Sequence, residues 1–130
     1  MTRNGRTTES GSAVVEFALV MPLLLLVALA LVQVAVVGRD RLVVEHAARA
    51  GAREAAVDPD DATVRATALG EAAALDPALL DVAVERASSF GDPALVRVVY
   101  DVPVAVPLAG WLVPSSIRVS AEVSMRQEFG

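Results

Sequence analysis

Glu16 is the residue whose type and position most demand a chemical explanation. It stands at the mouth of a 21-residue stretch, Phe17 to Val37, that carries no formal charge and in which only Gln33 is strongly polar. On insertion scales a charged side chain costs about 2.5–3.5 kcal/mol at mid-bilayer and less near an interface, where it can reach the headgroups. A carboxylate so placed offers ion pairing rather than bond breaking. Other chemistry-bearing residues are sparse. His46 is the only histidine and there is no cysteine, so no metal-ligand set is visible and His46 reads as a helix-surface residue. Asp60 and Asp61 are adjacent carboxylates, but capping explains them at the start of a helix. No nucleophile motif, glycine-rich phosphate loop or recognisable paired-acid constellation occurs. The chain therefore reads as a non-enzyme with no cofactor, no metal and no small-molecule substrate.

The element that must position Glu16 is the apolar run itself. At about 1.5 Å per helical residue it spans roughly 32 Å, against about 30 Å of hydrocarbon in a bilayer. Composition agrees: 55% hydrophobic residues and a mean hydropathy of +0.54, concentrated at one end. Roughly 70 residues follow the helical region, enough for one small core, and without cysteine no disulfide staples it. Pro22 removes the hydrogen bond to the Ala18 carbonyl and predicts a kink. Two plainer readings exist. One is a signal anchor in which Glu16 has no role. The other is a secretory signal peptide cut after Ala28-Leu29-Ala30, but apolar sequence continues to Val37 and Glu16 interrupts the expected apolar region.

Gly11-Ser12-Ala13-Val14-Val15-Glu16, opening a hydrophobic helix, resembles the processing site of type IV pilin-like precursors. Glu16-Phe17-Ala18-Leu19-Val20-Met21-Pro22 and the run to Leu26, followed by Ala47-Ala48-Arg49-Ala50-Gly51-Ala52-Arg53, resembles the TadE family of minor pseudopilins of tight-adherence (Flp) pilus systems. The resemblance implies cleavage between Gly11 and Ser12 by a membrane-embedded prepilin peptidase, leaving Glu16 as the fifth mature residue. It also implies partners: other Tad/Flp pilins or pseudopilins, and the Tad membrane platform with its secretion ATPase. Gly11, lacking Cβ, lets the backbone enter a protease cleft, and small Ser12 and Ala13 help. Once cut, Ser12 carries a positive α-amine, and Glu16 can pair with the amine of an adjacent subunit as a register mark.

Removing Arg3, Arg6 and Glu9 with the leader takes the net charge from −5 to −6, which disfavours nucleic-acid binding. All 11 basic residues are arginine; a GC-rich genome accounts for that. The implied location is the bacterial cytoplasmic membrane, single-pass, with the N-terminus cytoplasmic and the C-terminal domain extracytoplasmic. The charge count opposes this orientation, because Arg39, Arg41, Arg49 and Arg53 follow the apolar run and only Arg3, Arg6 and the amine precede it.

Beyond the membrane, Arg39 to Val57 continues the helix without proline. Glu45, Arg49 and Arg53 share one face. Ala47, Gly51 and Ala55 form a small-residue stripe suited to close helix packing, against this protein's own sheet in preference to a neighbour. Asp58-Pro59 ends the helix. A second helix, capped by Asp60 or Asp61, is predicted to run to about Leu75, with Val64, Ala68, Leu69, Ala72 and Leu75 at helical spacing, and Asp76-Pro77 closes it.

The period then changes to two. Leu80, Val82 and Val84 mark a first strand, and Ser88 to Pro93 a turn. Val96, Val98, Tyr100, Val102 and Val104, continuing to Val106, mark a second strand that Pro103 and Pro107 place at an edge or break. Ile117, Val119, Ala121, Val123 and Met125 mark a third. Gly110 and Trp111 fall in a loop, with Trp111 tucked over the sheet edge or touching a membrane or partner. The predicted fold class is α+β: a long transmembrane helix extending into a small domain with a second helix and an antiparallel sheet of about three strands. Its predicted parts are a leader (1–11), a membrane helix (12–38), an extramembrane continuation (39–57) and an extracytoplasmic domain (58–130).

Two functions from different classes fit these readings. One is a TadE-like minor pseudopilin that takes part in assembling or initiating a Flp/Tad-type pilus. The other is an unprocessed single-pass membrane protein whose outer domain binds a partner unrelated to pili.

Overall fold

A computed structural model describes residues 7–87, 91–105 and 113–128, with side chains from Gly11 onward. The architecture is α+β: a long helix α1 (Thr7–Val57), a second helix α2 (Asp61–Glu71), one 3-10 turn at Pro77–Leu79, and strands β1 (Leu80–Arg86), β2 (Pro93–Pro103) and β3 (Ser116–Arg126). The chain divides into two units between Val34 and Ala35.

In the first unit α1 presents its apolar residues outward. Phe17, Leu19, Leu23, Leu25 and Leu31 are all more than half exposed, and Pro22 lies inside the helix. The most apolar window of α1 has a mean hydropathy of 2.8 and no buried residue, so this helix is long and apolar enough to cross a membrane. A solvated surface of this composition is unfavourable, since each buried leucine-sized side chain is worth about 1.5–3 kcal/mol.

In the second unit α1 runs on to Val57 and stops ahead of Asp58-Pro59, as the pre-proline restriction requires. Asp60 caps α2, accepting from the backbone N–H groups of Ala62 and Thr63. The helix ends at Glu71, one turn short of the predicted Leu75. Gly70 weakens its last turn; the Ala72 N–H still donates to the Ala68 carbonyl, but the Ala73 N–H turns back to the Gly70 carbonyl in a tighter turn. Ala72 and Leu75 still reach the core from the turn that follows. Asp76 then caps the 3-10 turn by accepting from Ala78 N–H.

The three strands form one antiparallel sheet in the order β1-β2-β3. Strict alternation on β2 buries Ala94, Val96, Val98, Tyr100 and Val102 on one face. β2 is the central strand, bonded on both sides, so of the two readings its prolines offered, an edge or a break, the edge is excluded. Pro103 is the last residue of β2, and one further backbone bond, from Val104 N–H to the Ser115 carbonyl at 3.0 Å, follows it. Gly91 precedes β2 with φ +81°, a left-handed conformation that glycine adopts without a Cβ penalty. Ser88 to Phe90, Val106, Pro107, Gly110 and Trp111 lie outside the described residues.

On the open face of the sheet, directly opposed residues pair by charge. Arg97 faces Glu122 at 2.6 Å and Arg118 faces Asp101 at 2.9 Å. Each pair favours the observed β2–β3 register, since opposite charges lie directly across the ladder.

The core is assembled from alanine and valine. Val44, Ala47, Ala48, Ala52 and Ala55 of α1 meet Val64 of α2 and the inward residues of β2. Small residues on α1 let its backbone come close to the other layers. Gly51 shows this most sharply: a Cβ there would lie 3.0 Å from Val96 Cγ1 and 3.3 Å from Ala68 Cβ.

Candidate functional site

Gly11, Ser12 and Glu16 all lie on α1, which begins at Thr7. The helix thus runs through the Gly11–Ser12 bond, and an extended cleavage conformation requires its first turns to unwind. Gly11 is exposed, and a Cβ built on it meets nothing within 4 Å. The fold alone imposes no steric demand for glycine there. Ser12 Oγ donates to Glu16 Oε1 at 3.3 Å across one helical turn. Both residues are exposed, so the helix places this carboxylate at the edge of the apolar surface and on the same face as Ser12.

The small-residue stripe has a different setting. Ala47, Gly51 and Ala55 are buried, and the space beyond Gly51 is filled by Val96 of β2 and Ala68 of α2. Own-sheet packing uses this face. On the exposed side, Glu45 sits between Arg41, at 3.4 Å, and Arg49, at 3.2 Å; Arg53 is exposed, as is His46.

One positioning residue escaped the sequence reading. The Arg86 guanidinium donates to the carbonyls of Ala55 and Asp58, both at 2.8 Å, and to Asp61 Oδ1 at 2.6 Å. The last carbonyls of a helix have no intrahelical partner, and Arg86, at the end of β1, supplies donors for that end of α1. Glu128 N–H adds another bond, to the Ala56 carbonyl at 2.8 Å. The available signal is parity: Arg86 continues the inward series Leu80, Val82, Val84, and a cation at an inward position needs buried acceptors. Gln127 is a smaller case, buried and donating to the Ala87 carbonyl at 3.2 Å.

Thr63 Oγ1 donates to Asp60, and together with the Ala62 N–H it holds the Asp60 carboxyl below its usual range. Capping is thus the observed role of Asp60, while Asp61 serves the Arg86 network. Among the described residues no group of three or more His, Asp or Glu side chains is arranged to hold a metal ion.

No curated protein matches this chain, and no solved structure does. Residues 11–53 match the family model described as TadE-like protein. That stretch spans the Gly11–Ser12 bond, Glu16, the apolar helix surface, Ala47 and Gly51, and over it the chain is similar to TadE-like proteins.

Proposed function

We propose that the protein is a membrane-anchored minor pseudopilin that takes part in assembling or initiating a Flp/Tad-type pilus. The TadE-like match associates it with Tad pilus proteins in general. The observation that carries the finer reading is Glu16, held one turn from Ser12 at the start of an exposed, membrane-length apolar helix.

In this reading a prepilin peptidase cuts between Gly11 and Ser12. The new α-amine of Ser12 lies at a helix N-terminus, where positive charge is disfavoured by the helix dipole. A carboxylate from a neighbouring subunit offsets that cost, and Glu16 offsets its own desolvation in the same contact. The folded unit beyond Ala35 stands on the extracytoplasmic side and meets other pilins, the membrane platform and the secretion machinery. The role is structural rather than catalytic.

Co-expression of the full chain with a prepilin peptidase tests this reading. The expected product begins at Ser12, and Gly11→Arg blocks its formation. Intact chains in the presence of a peptidase that trims a control pilin would favour the alternative, an unprocessed single-pass protein with a partner-binding outer domain.

A further inference from the structure

Arg39, Leu42, His46, Arg49 and Arg53 follow one another on α1 at intervals of three or four residues, and all five are exposed. At about 100° per residue they share the side of the helix opposite Val44, Ala47, Gly51 and Ala55, which face the core. No acid interrupts this ridge; Glu45 flanks it and pairs with Arg49. Among the described residues Arg39 and Arg53 make no ion pair. A basic ridge with an exposed leucine, on a chain of net charge −5, finds its complement on the rest of the same molecule.

That complement is the open face of β1. Asp81 and Glu85 are exposed there and make no bonded ion pair among the described residues. Their β2 neighbours in register, Val99 and Leu95, are half-buried and supply apolar surface between them. Arg97, across the ladder, is bonded to Glu122 and interacts with Glu85 only through its charge.

The heights agree as well. Arg86 reaches the Ala55 and Asp58 carbonyls, so its neighbour Glu85 stands level with the last turns of α1. Asp81 lies four strand residues lower, about 13 Å, which on a helix is about nine residues, near His46.

We propose that a second copy of this chain docks head-to-tail, with the α1 ridge of one copy, centred on Arg49 and Arg53, lying along Asp81 and Glu85 of the next. The ridge faces away from the sheet and the two acids face away from the helices, so a translation brings them together. Translated copies keep their chains running in one direction, as two helices in one bilayer must. Such a contact is heterologous and propagates. It extends the pseudopilin reading but does not rest on it, since unprocessed chains present the same two surfaces.

Because the native chain has no cysteine, engineered pairs report the contact cleanly. The full chain carrying Arg53→Cys and Glu85→Cys, in membranes without peptidase, should form disulfide-linked dimers and higher multimers on mild oxidation. Each single variant should not. Adding Arg49→Glu or Asp81→Arg to the pair should lower the yield about tenfold, and adding both should restore it. High salt should lower it too. Equal cross-linking by Arg53→Cys alone would mean that ridge meets ridge and would overturn the proposal, as would absence of cross-linking in correctly folded double variant. Neither result bears on cleavage at Gly11.

Discussion

Arg86 Nε lies 2.6 Å from Asp61 Oδ1, and the same guanidinium holds two carbonyls at the end of α1. This one side chain, 16% exposed, joins the end of the first strand to both helices. Arg86→Ala leaves those acceptors to find water or go without. Hydrogen bonds from a charged donor are worth about 1.5–3 kcal/mol each but share one side chain here, so a loss of about 3 kcal/mol is expected. Denaturant unfolding of the full chain in detergent, followed by circular dichroism, measures it. Arg86→Lys, which lacks the planar fork, should recover only part of the loss.

Gly51 sets the distance between α1 and the other layers. Enlarging it overpacks a site bounded by Val96 and Ala68. Gly51→Leu should destabilise the folded unit by about 3 kcal/mol or prevent its folding. For Gly51→Ala, the helix-propensity gain of about 1 kcal/mol opposes a contact that Val96 must yield to, so a much smaller change is expected. The same unfolding measurement compares the two. If both variants matched the parent, the close approach would be refuted.

Asp60 gives the stability a pH dependence of known sign. Its carboxyl titrates lower in the folded protein than its ordinary value of 3.8, chiefly because Thr63 and Ala62 donate to the ionised form. The contribution is therefore complete above the unfolded value and is lost as pH falls below about 3.8 through the folded one. Asp60→Asn should keep the cap while flattening this acid limb, and Asp60→Ala should lower Tm at neutral pH. Thermal melts between pH 2.5 and 7, a window about the unfolded value, compare all three proteins.

Glu16→Ala should leave the folded unit unchanged, because the described contact of Glu16 is with Ser12 one turn away. Pilus formation should fall while membrane insertion persists. Counting surface pili against the membrane content of the protein separates these effects. A variant that assembled normally would remove Glu16 from the proposed role.

Much of this architecture is legible from period and punctuation. Val96, Val98, Tyr100 and Val102 alternate cleanly and are buried as the pattern demands. Asp58-Pro59 ends α1 at Val57 as expected. What pattern conveys poorly is anything set by a distant partner. The central place of β2 depends on β1 and β3 pairing to its two edges, and Pro103, read locally, argued for an edge or a break. The Arg86 network depends on three segments meeting. Helical spacing extended α2 to Leu75 because Ala72 and Leu75 are core residues, yet they reach the core from a turn. The Gly11–Glu16 pattern is carried by residue types at fixed spacing rather than by the fold, and it lies within the residues 11–53 that match the TadE-like family model.

The orientation expected from the TadE resemblance conflicts with the positions of Arg39, Arg41, Arg49 and Arg53, which follow the apolar helix. A reporter active only outside the cytoplasm, fused after Gly130, should be active. Activity of a cytoplasm-only reporter at the same point would reverse the assignment.

The central claim is that Ser12 becomes a new amino end and Glu16 its counter-charge in an assembled neighbour. Mass spectrometry of the N-terminal peptide, from membranes of cells carrying an active prepilin peptidase, tests its first requirement directly. A peptide beginning at Ser12 is the result expected; recovery of Met1-containing chains alone, from cells that trim a control pilin, would contradict the account.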